Sequence, residues 1–258
     1  MQFKLNKYIL EDIESKNQPS EFRSFKDYSI LILRLPFIKN EEVEIVSYAF
    51  YIKDFVYFYN KDKNEFEKLG NFNDLHSFLD IRVDKIITKL SKLHVDIAKM
   101  EDDIYDGDYS SIKNWLLLKK DLGVIERVMA HAEIAFDRFY KKYKENLDEF
   151  AYEDLKEHFN RILRLSIAGS EKLDYIYQFY RGAVDEKMNN VMFVLTILSA
   201  IFMPLTLITG FFGMNTGGLP FVEDNLGTLK VILLTIVFEV PFVWYIFRLS
   251  KTKFDKIR

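Results

Sequence analysis

The sequence predicts an α+β chain, predominantly α. A small N-terminal α/β domain leads to a long stalk helix continuous with the first of two C-terminal transmembrane helices. Three observations predict this. Short β-branched and aromatic runs parted by turn residues fill the first part of the chain. Apolar residues at helical spacing then take over. Two long, nearly uncharged runs lie between 191 and 249.

Residues 1–72 form the β-rich part. Ser29 to Leu35 is rich in strand formers, and Pro36 is expected to stop it. Glu44–Tyr51 and Phe55–Tyr59 read as further strands, joined by a tight turn at Lys53-Asp54. Asn60–Asn64 reads as another turn and Glu65–Leu69 as a short strand. The expected sheet buries one face. Residues 73–150 form the helical part of the same domain. Leu75, Leu79, Val83, Ile86, Leu90, Leu93, Ile97 and Met100 keep helical spacing. Asp106-Gly107-Asp108 predicts a corner, and Ser110–Lys144 a second helix. A third helix starts near Tyr152 and meets no proline before Pro204. Residues 151–190 are therefore a stalk that runs into the first apolar segment, weakened a little by Gly169 and Gly182.

Residues 191–212 carry no charge over 22 positions. At 1.5 Å per residue they span about 33 Å, enough for a hydrocarbon core. Residues 213–229 are an external loop, 230–249 a second span and 250–258 a basic tail. Glu239 is the one acid in the second span. Arg248, Lys251, Lys253, Lys256 and Arg258 follow that span, and Arg181 and Lys187 precede the first, so both termini are expected in the cytoplasm. Met1 to Leu10 has no apolar run of leader length. The net charge of −3 offers no basic stripe for nucleic acid, and the absence of cysteine excludes disulfides and thiolate metal sites. No nucleophile elbow, His-Glu metal motif or phosphate loop is present, so no enzyme activity and no catalytic residue is expected.

At about 100° per residue, Asn189, Met192, Thr196, Ser199, Met203, Thr206 and Gly210 fall on one edge of the first span. Phe193, Val194, Ile197, Leu198, Ile201 and Leu205 lie opposite. Small residues on one edge suit either helix packing or a pore lining, and hydroxyls can bond their own backbone. Geometry alone leaves both readings open. A pore needs several copies.

The end of that span, Phe202-Met203-Pro204-Leu205-Thr206-Leu207-Ile208-Thr209-Gly210-Phe211-Phe212-Gly213-Met214-Asn215, resembles the CorA family of divalent-cation channels, whose signature is Gly-Met-Asn at the outer end of the first membrane helix. Lys187 to Thr196 is similar to the family's pore-helix entry. The resemblance implies a homopentamer in the inner membrane with a cytoplasmic funnel. It implies pore-lining roles for Asn189, Met192, Leu195, Met203, Thr206, Gly210 and Asn215, where helix geometry favours Thr196 over Leu195. It implies transport of Mg²⁺, with Co²⁺, Ni²⁺ and Zn²⁺ as other candidates, and no cofactor.

Mg²⁺ sheds water reluctantly. Amide oxygens of Asn215 can hold an intact hydration shell without a carboxylate cage. A divalent ion gains about 4.6 kcal/mol per 100 mV on entering the cell, so uptake needs no ATP. Glu223 and Asp224 are expected to draw cations to the outer mouth. The family also implies closure by metal bound in the soluble domain. Candidate acids are Asp84, Asp96, Glu101, Asp102, Asp103, Asp106 and Asp108, without a set of regulatory ligands defined. His76, His94, His131 and His158 show no paired spacing and read as ordinary helix residues. Thr216-Gly217-Gly218-Leu219-Pro220 after the motif looks more like the family's ZntB branch, associated with zinc. Glu239 is expected to be structural, with proton coupling as the other reading. A non-conducting membrane-anchored scaffold is the alternative outside transport.

Overall fold

The computed structural model describes residues 7–15, 18–39, 42–221 and 224–254. Helix α1 is Lys7–Glu14. Five strands follow: β1 (Glu21–Ser24), β2 (Ser29–Lys39), β3 (Glu42–Ile52), β4 (Val56–Asn60) and β5 (Glu65–Gly70). Then come α2 (Phe72–Tyr105), a 3-10 turn at Ser110–Asn114, α3 (Trp115–Tyr143), a second 3-10 turn at Lys144–Asn146, α4 (Glu149–Phe212) and α5 (Gly227–Phe254). Two compact units divide the chain, Met1–Tyr180 and Arg181–Arg258. The boundary falls inside α4.

The first unit is built on an antiparallel meander of order β1-β2-β3-β4-β5. Both faces of its sheet are covered, not one. Leu31, Leu33, Leu35, Phe50 and Ile52 point into the core shared with α2, α3 and α4. Ile30, Ile32, Ala49 and Tyr51 face the other way and bury Ile9 and Ile13 of α1. That double burial explains why β2 is apolar without alternation. Helix α1 was not expected; its eight residues are too few for a clear periodic signal.

Pro36 does not end β2. The strand runs on to Lys39, with Pro36 opposite Ile45 of β3. The reason is local. Strand β1 pairs β2 only over Ser29 to Ile32, so the rest of that side of β2 is open. The Arg34 backbone N–H points to this open side, where it donates to Ser20 Oγ at 2.8 Å. The nitrogen of Pro36, two residues on, faces the same way, so its missing proton costs no ladder bond.

Asn71 caps α2 by accepting from the N–H groups of Asn73 and Asp74, while Asp74 returns a bond to the Asn71 N–H at 2.8 Å. The predicted corner holds Gly107 at φ +83°, a left-handed conformation suited to glycine. In the core, Phe136 of α3 stacks on Phe159 of α4 at 4.8 Å. Tyr152 is wholly buried, and its hydroxyl donates to the Phe72 carbonyl at 2.7 Å. Gly169 lies in α4 where α2 and α3 come closest. A Cβ there would sit 3.0 Å from Leu122 Cδ1 and 3.3 Å from the His94 ring. Its lack of a side chain serves packing, which outweighs its poor helix propensity.

In the second unit, the last part of α4 and most of α5 are long and apolar enough to cross a membrane. Helix α5 begins at Gly227, three residues before the expected start of the second span, so Leu229 and Lys230 are already helical.

Candidate functional site

Helix α4 positions the expected stripe. Asn189, Met192, Leu195, Thr196, Ser199, Met203, Thr206 and Gly210 are all exposed. Phe193, Ile197, Ala200, Ile201, Pro204, Leu205, Ile208 and Phe212 form a half-buried stripe on the other side. Helix α5 has a matching half-buried stripe at Val231, Thr235, Glu239, Val243 and Ile246. Each helix of this unit thus has one side less exposed than the rest, and the polar edge of α4 lies on its more exposed side.

Local bonding decides what that edge offers. Thr196 Oγ1 donates to the Met192 carbonyl at 2.8 Å, and Thr206 Oγ1 to that of Phe202 at 2.7 Å. Each hydroxyl has spent its proton on its own helix, leaving acceptor lone pairs. The waters around a cation point their hydrogens outward. Acceptors without competing donors suit such a shell.

The motif follows directly. Helix α4 ends at Phe212, and the Gly213 N–H donates to the Thr209 carbonyl at 2.8 Å. A Cβ on Gly213 would lie 2.8 Å from that same oxygen. Glycine is required by this close approach. Met214 and Asn215 are exposed just beyond it, and an open groove lined by Met203, Thr206, Leu207, Gly210, Phe211 and Met214 runs down the helix from there.

Asp224 is less free than expected. Its Oδ2 pairs with Lys230, and its Oδ1 accepts from the Leu226 N–H at 3.2 Å. The Lys230 bond, then the backbone bond, holds its carboxyl below the usual range. It ties down the start of α5 and offers little unmatched charge. Glu223 lies outside the described residues. Glu239 Oε1 is buried on the less exposed side of α5 and has no hydrogen-bond partner among the described residues.

The soluble unit holds a group that sequence spacing did not reveal. Asp80 and Asp84 lie one turn apart on α2, and Asp154 and His158 one turn apart on α4. His158 Nδ1 is 3.9 Å from Asp80 Oδ1 and 3.8 Å from Asp84 Oδ1, and Nε2 is 3.7 Å from Asp154 Oδ2. Nδ1 is buried and makes no hydrogen bond. Ligand atoms from Asp80, Asp84 and His158 lie within 4.8 Å of one another, which a metal ion can bridge. Two carboxylates and an imidazole suit zinc, cobalt or nickel better than an all-oxygen set does. His158 thus faces carboxylates from both α2 and α4. His76 and His94 are structural: their Nε2 atoms bond the carbonyls of Ala151 (3.0 Å) and Leu165 (2.9 Å).

An α/β unit followed by two helices long and apolar enough to cross a membrane defines a membrane protein. A model of the CorA-like Mg²⁺ transporter protein family matches residues 1–249, and the chain belongs to that family. The zinc transport protein ZntB of Yersinia enterocolitica is 24% identical over 177 residues, covering 67% of this chain and 54% of the relative. The chain spans about half the length of several ZntB relatives it matches. The cobalt/magnesium transport protein CorA of Thermotoga maritima is 24% identical over 275 residues, covering 94% of this chain and 76% of that protein. The complete structure of the CorA magnesium transporter from Methanocaldococcus jannaschii matches with a TM-score of 0.75 at 21% identity, covering 95% of this chain and 83% of that one.

Proposed function

We propose that the chain is one subunit of a homopentameric channel that moves divalent cations, Mg²⁺ foremost, across the inner membrane. The observation that carries this reading is the exposed polar edge of α4, unbroken from Asn189 to Gly210 and ending at Asn215. Several copies of that edge around one axis make a wet path. Rings of Asn215 amides hold the hydrated ion weakly enough to release it. Met192, Leu195 and Met203 form apolar constrictions. The excess of Lys and Arg flanking the spans on one side puts both termini in the cytoplasm and the Gly213-Met214-Asn215 loop outside.

The Asp80-Asp84-His158 group is the candidate regulatory site in this reading, with Asp154 beside it. Metal there senses the internal concentration, and high internal Mg²⁺ is expected to lower the flux. A zinc-transporting second reading is favoured by two observations: the Thr216-Gly217-Gly218-Leu219-Pro220 loop and the imidazole in the soluble site. The deciding experiment is flux into proteoliposomes of Mg²⁺, Co²⁺, Ni²⁺ and Zn²⁺ in turn, with and without a proton gradient. Wild type is compared with Asn215→Ala. Loss of flux in the variant supports the channel; no flux in wild type for any ion leaves the scaffold reading.

A further inference from the structure

Arg34 is a buried cation without a carboxylate. It belongs to β2 and is 2% exposed. Its Nε donates to the Ser15 carbonyl at 3.2 Å. Its Nη2 donates to the carbonyls of Ser15 at 2.8 Å and Asp12 at 2.5 Å, and Nη1 to that of Pro19. Four of its five N–H donors are used, all on neutral backbone. The carboxylates whose charge acts on it are Asp12 and Glu21. Both hold Arg23 instead, at 3.0 and 2.6 Å. Among the described residues, none forms an ion pair with Arg34. A guanidinium withdrawn from water without a direct ion-pair partner is costly, and an anion that reached it would offset that cost.

Arg34 lines a hollow together with Gln18, Ser20, Ile45, Arg127 and His131, and among the described residues no Asp or Glu lines it. Arg127 and His131 stand one turn apart on α3, both exposed. Neither has an ion pair or hydrogen bond among the described residues. Three basic side chains thus share one concave surface of this unit, and the two carboxylates whose charge reaches Arg34 are paired with Arg23.

We propose that this hollow binds a phosphate-bearing anion, either inorganic phosphate or the phosphate end of a nucleotide. The free Nη1–H of Arg34, the Arg127 fork and the His131 ring N–H supply the donors. Arginine forks match phosphate oxygens in pairs. Three separate donor groups also suit a tetrahedral anion better than the two coplanar oxygens of a carboxylate. The site is independent of the cation path, and its test reads binding alone.

The test is calorimetric titration of the 258-residue chain in detergent, in chloride buffer without divalent cations. Inorganic phosphate and ATP are titrated separately into wild type, Arg127→Gln and His131→Gln. Both substituted positions are exposed, and circular dichroism checks that the variants fold. The expected result is one equivalent bound per chain, with affinity reduced about tenfold or more in each variant. Binding of both ligands, or of phosphate alone, assigns the site to the phosphate group. Binding of ATP alone assigns it to a nucleotide. No binding of either ligand, or equal affinity in wild type and both variants, overturns the proposal.

Discussion

Gly213→Ala tests the motif's geometry without touching its chemistry. The added methyl would stand 2.8 Å from the Thr209 carbonyl oxygen, closer than Cβ atoms are found, and the obstacle is backbone that cannot swing aside. Relief requires the chain after Phe212 to turn away, which stretches the Gly213 N–H bond to that same oxygen. Losing such a bond costs about 0.5–1.5 kcal/mol, and the displaced backbone adds strain of about 1–3 kcal/mol. Together these bias against the native exit by about 1.5–4.5 kcal/mol, which lowers its population relative to alternatives by about 10–2,000-fold. Asn215 lies two residues further on, so under the proposed function its amide is misplaced and the flux falls within that range. Gly217→Ala is the control, because a Cβ there meets nothing within 4 Å. The assay is Mg²⁺ and Zn²⁺ uptake into proteoliposomes at matched protein density. Wild-type flux in Gly213→Ala would refute the claim that this close approach sets the exit.

Three further outcomes are expected. In His158→Gln and in Asp84→Asn, Zn²⁺ affinity of the chain in detergent drops by more than the roughly 10–100-fold that loss of an outer-shell partner costs; unchanged titrations in both variants rule out the metal group. Phe136→Ala removes a wholly buried ring stacked on Phe159 and destabilises the soluble unit by about 3–5 kcal/mol, read from denaturant midpoints. The Asp137 carboxyl is held below its usual range by bonds from Lys141 and then Lys156. Its contribution is complete above the ordinary carboxylate value and fades as pH falls through the lowered folded value. Asp137→Asn should therefore flatten the acid side of the stability–pH curve, and a curve of unchanged slope would contradict the assignment.

Features that depend on near neighbours in sequence were legible. The period of Leu75 to Met100, the uncharged run at 191–212 and the corner at Gly107 each reflect spacing over a few turns. The stripe on α4 was legible for the same reason. Features that depend on distant partners were not. His158 meets Asp80 and Asp84 only because α2 and α4 pack together, and no spacing rule links positions more than 70 residues apart. The fate of Asp224 turned on Lys230, a neighbour whose side chain had to fold back to reach it. Pro36 was misjudged because a general rule about proline was applied before the strand order was known. The open side of β2 reverses the rule.

That open side has a consequence for the life of the protein in a crowded cell. Strand edges recruit other chains by offering alternate N–H and C=O groups, and β2 beyond Ile32 has no β1 partner on that side. Pro36 withholds one donor in the middle of it, and the N–H of Arg34 is already occupied by Ser20. An incoming strand would find two successive outward donor positions closed to it. The soluble units can thus gather at a membrane, many to a small area, without their sheets annealing.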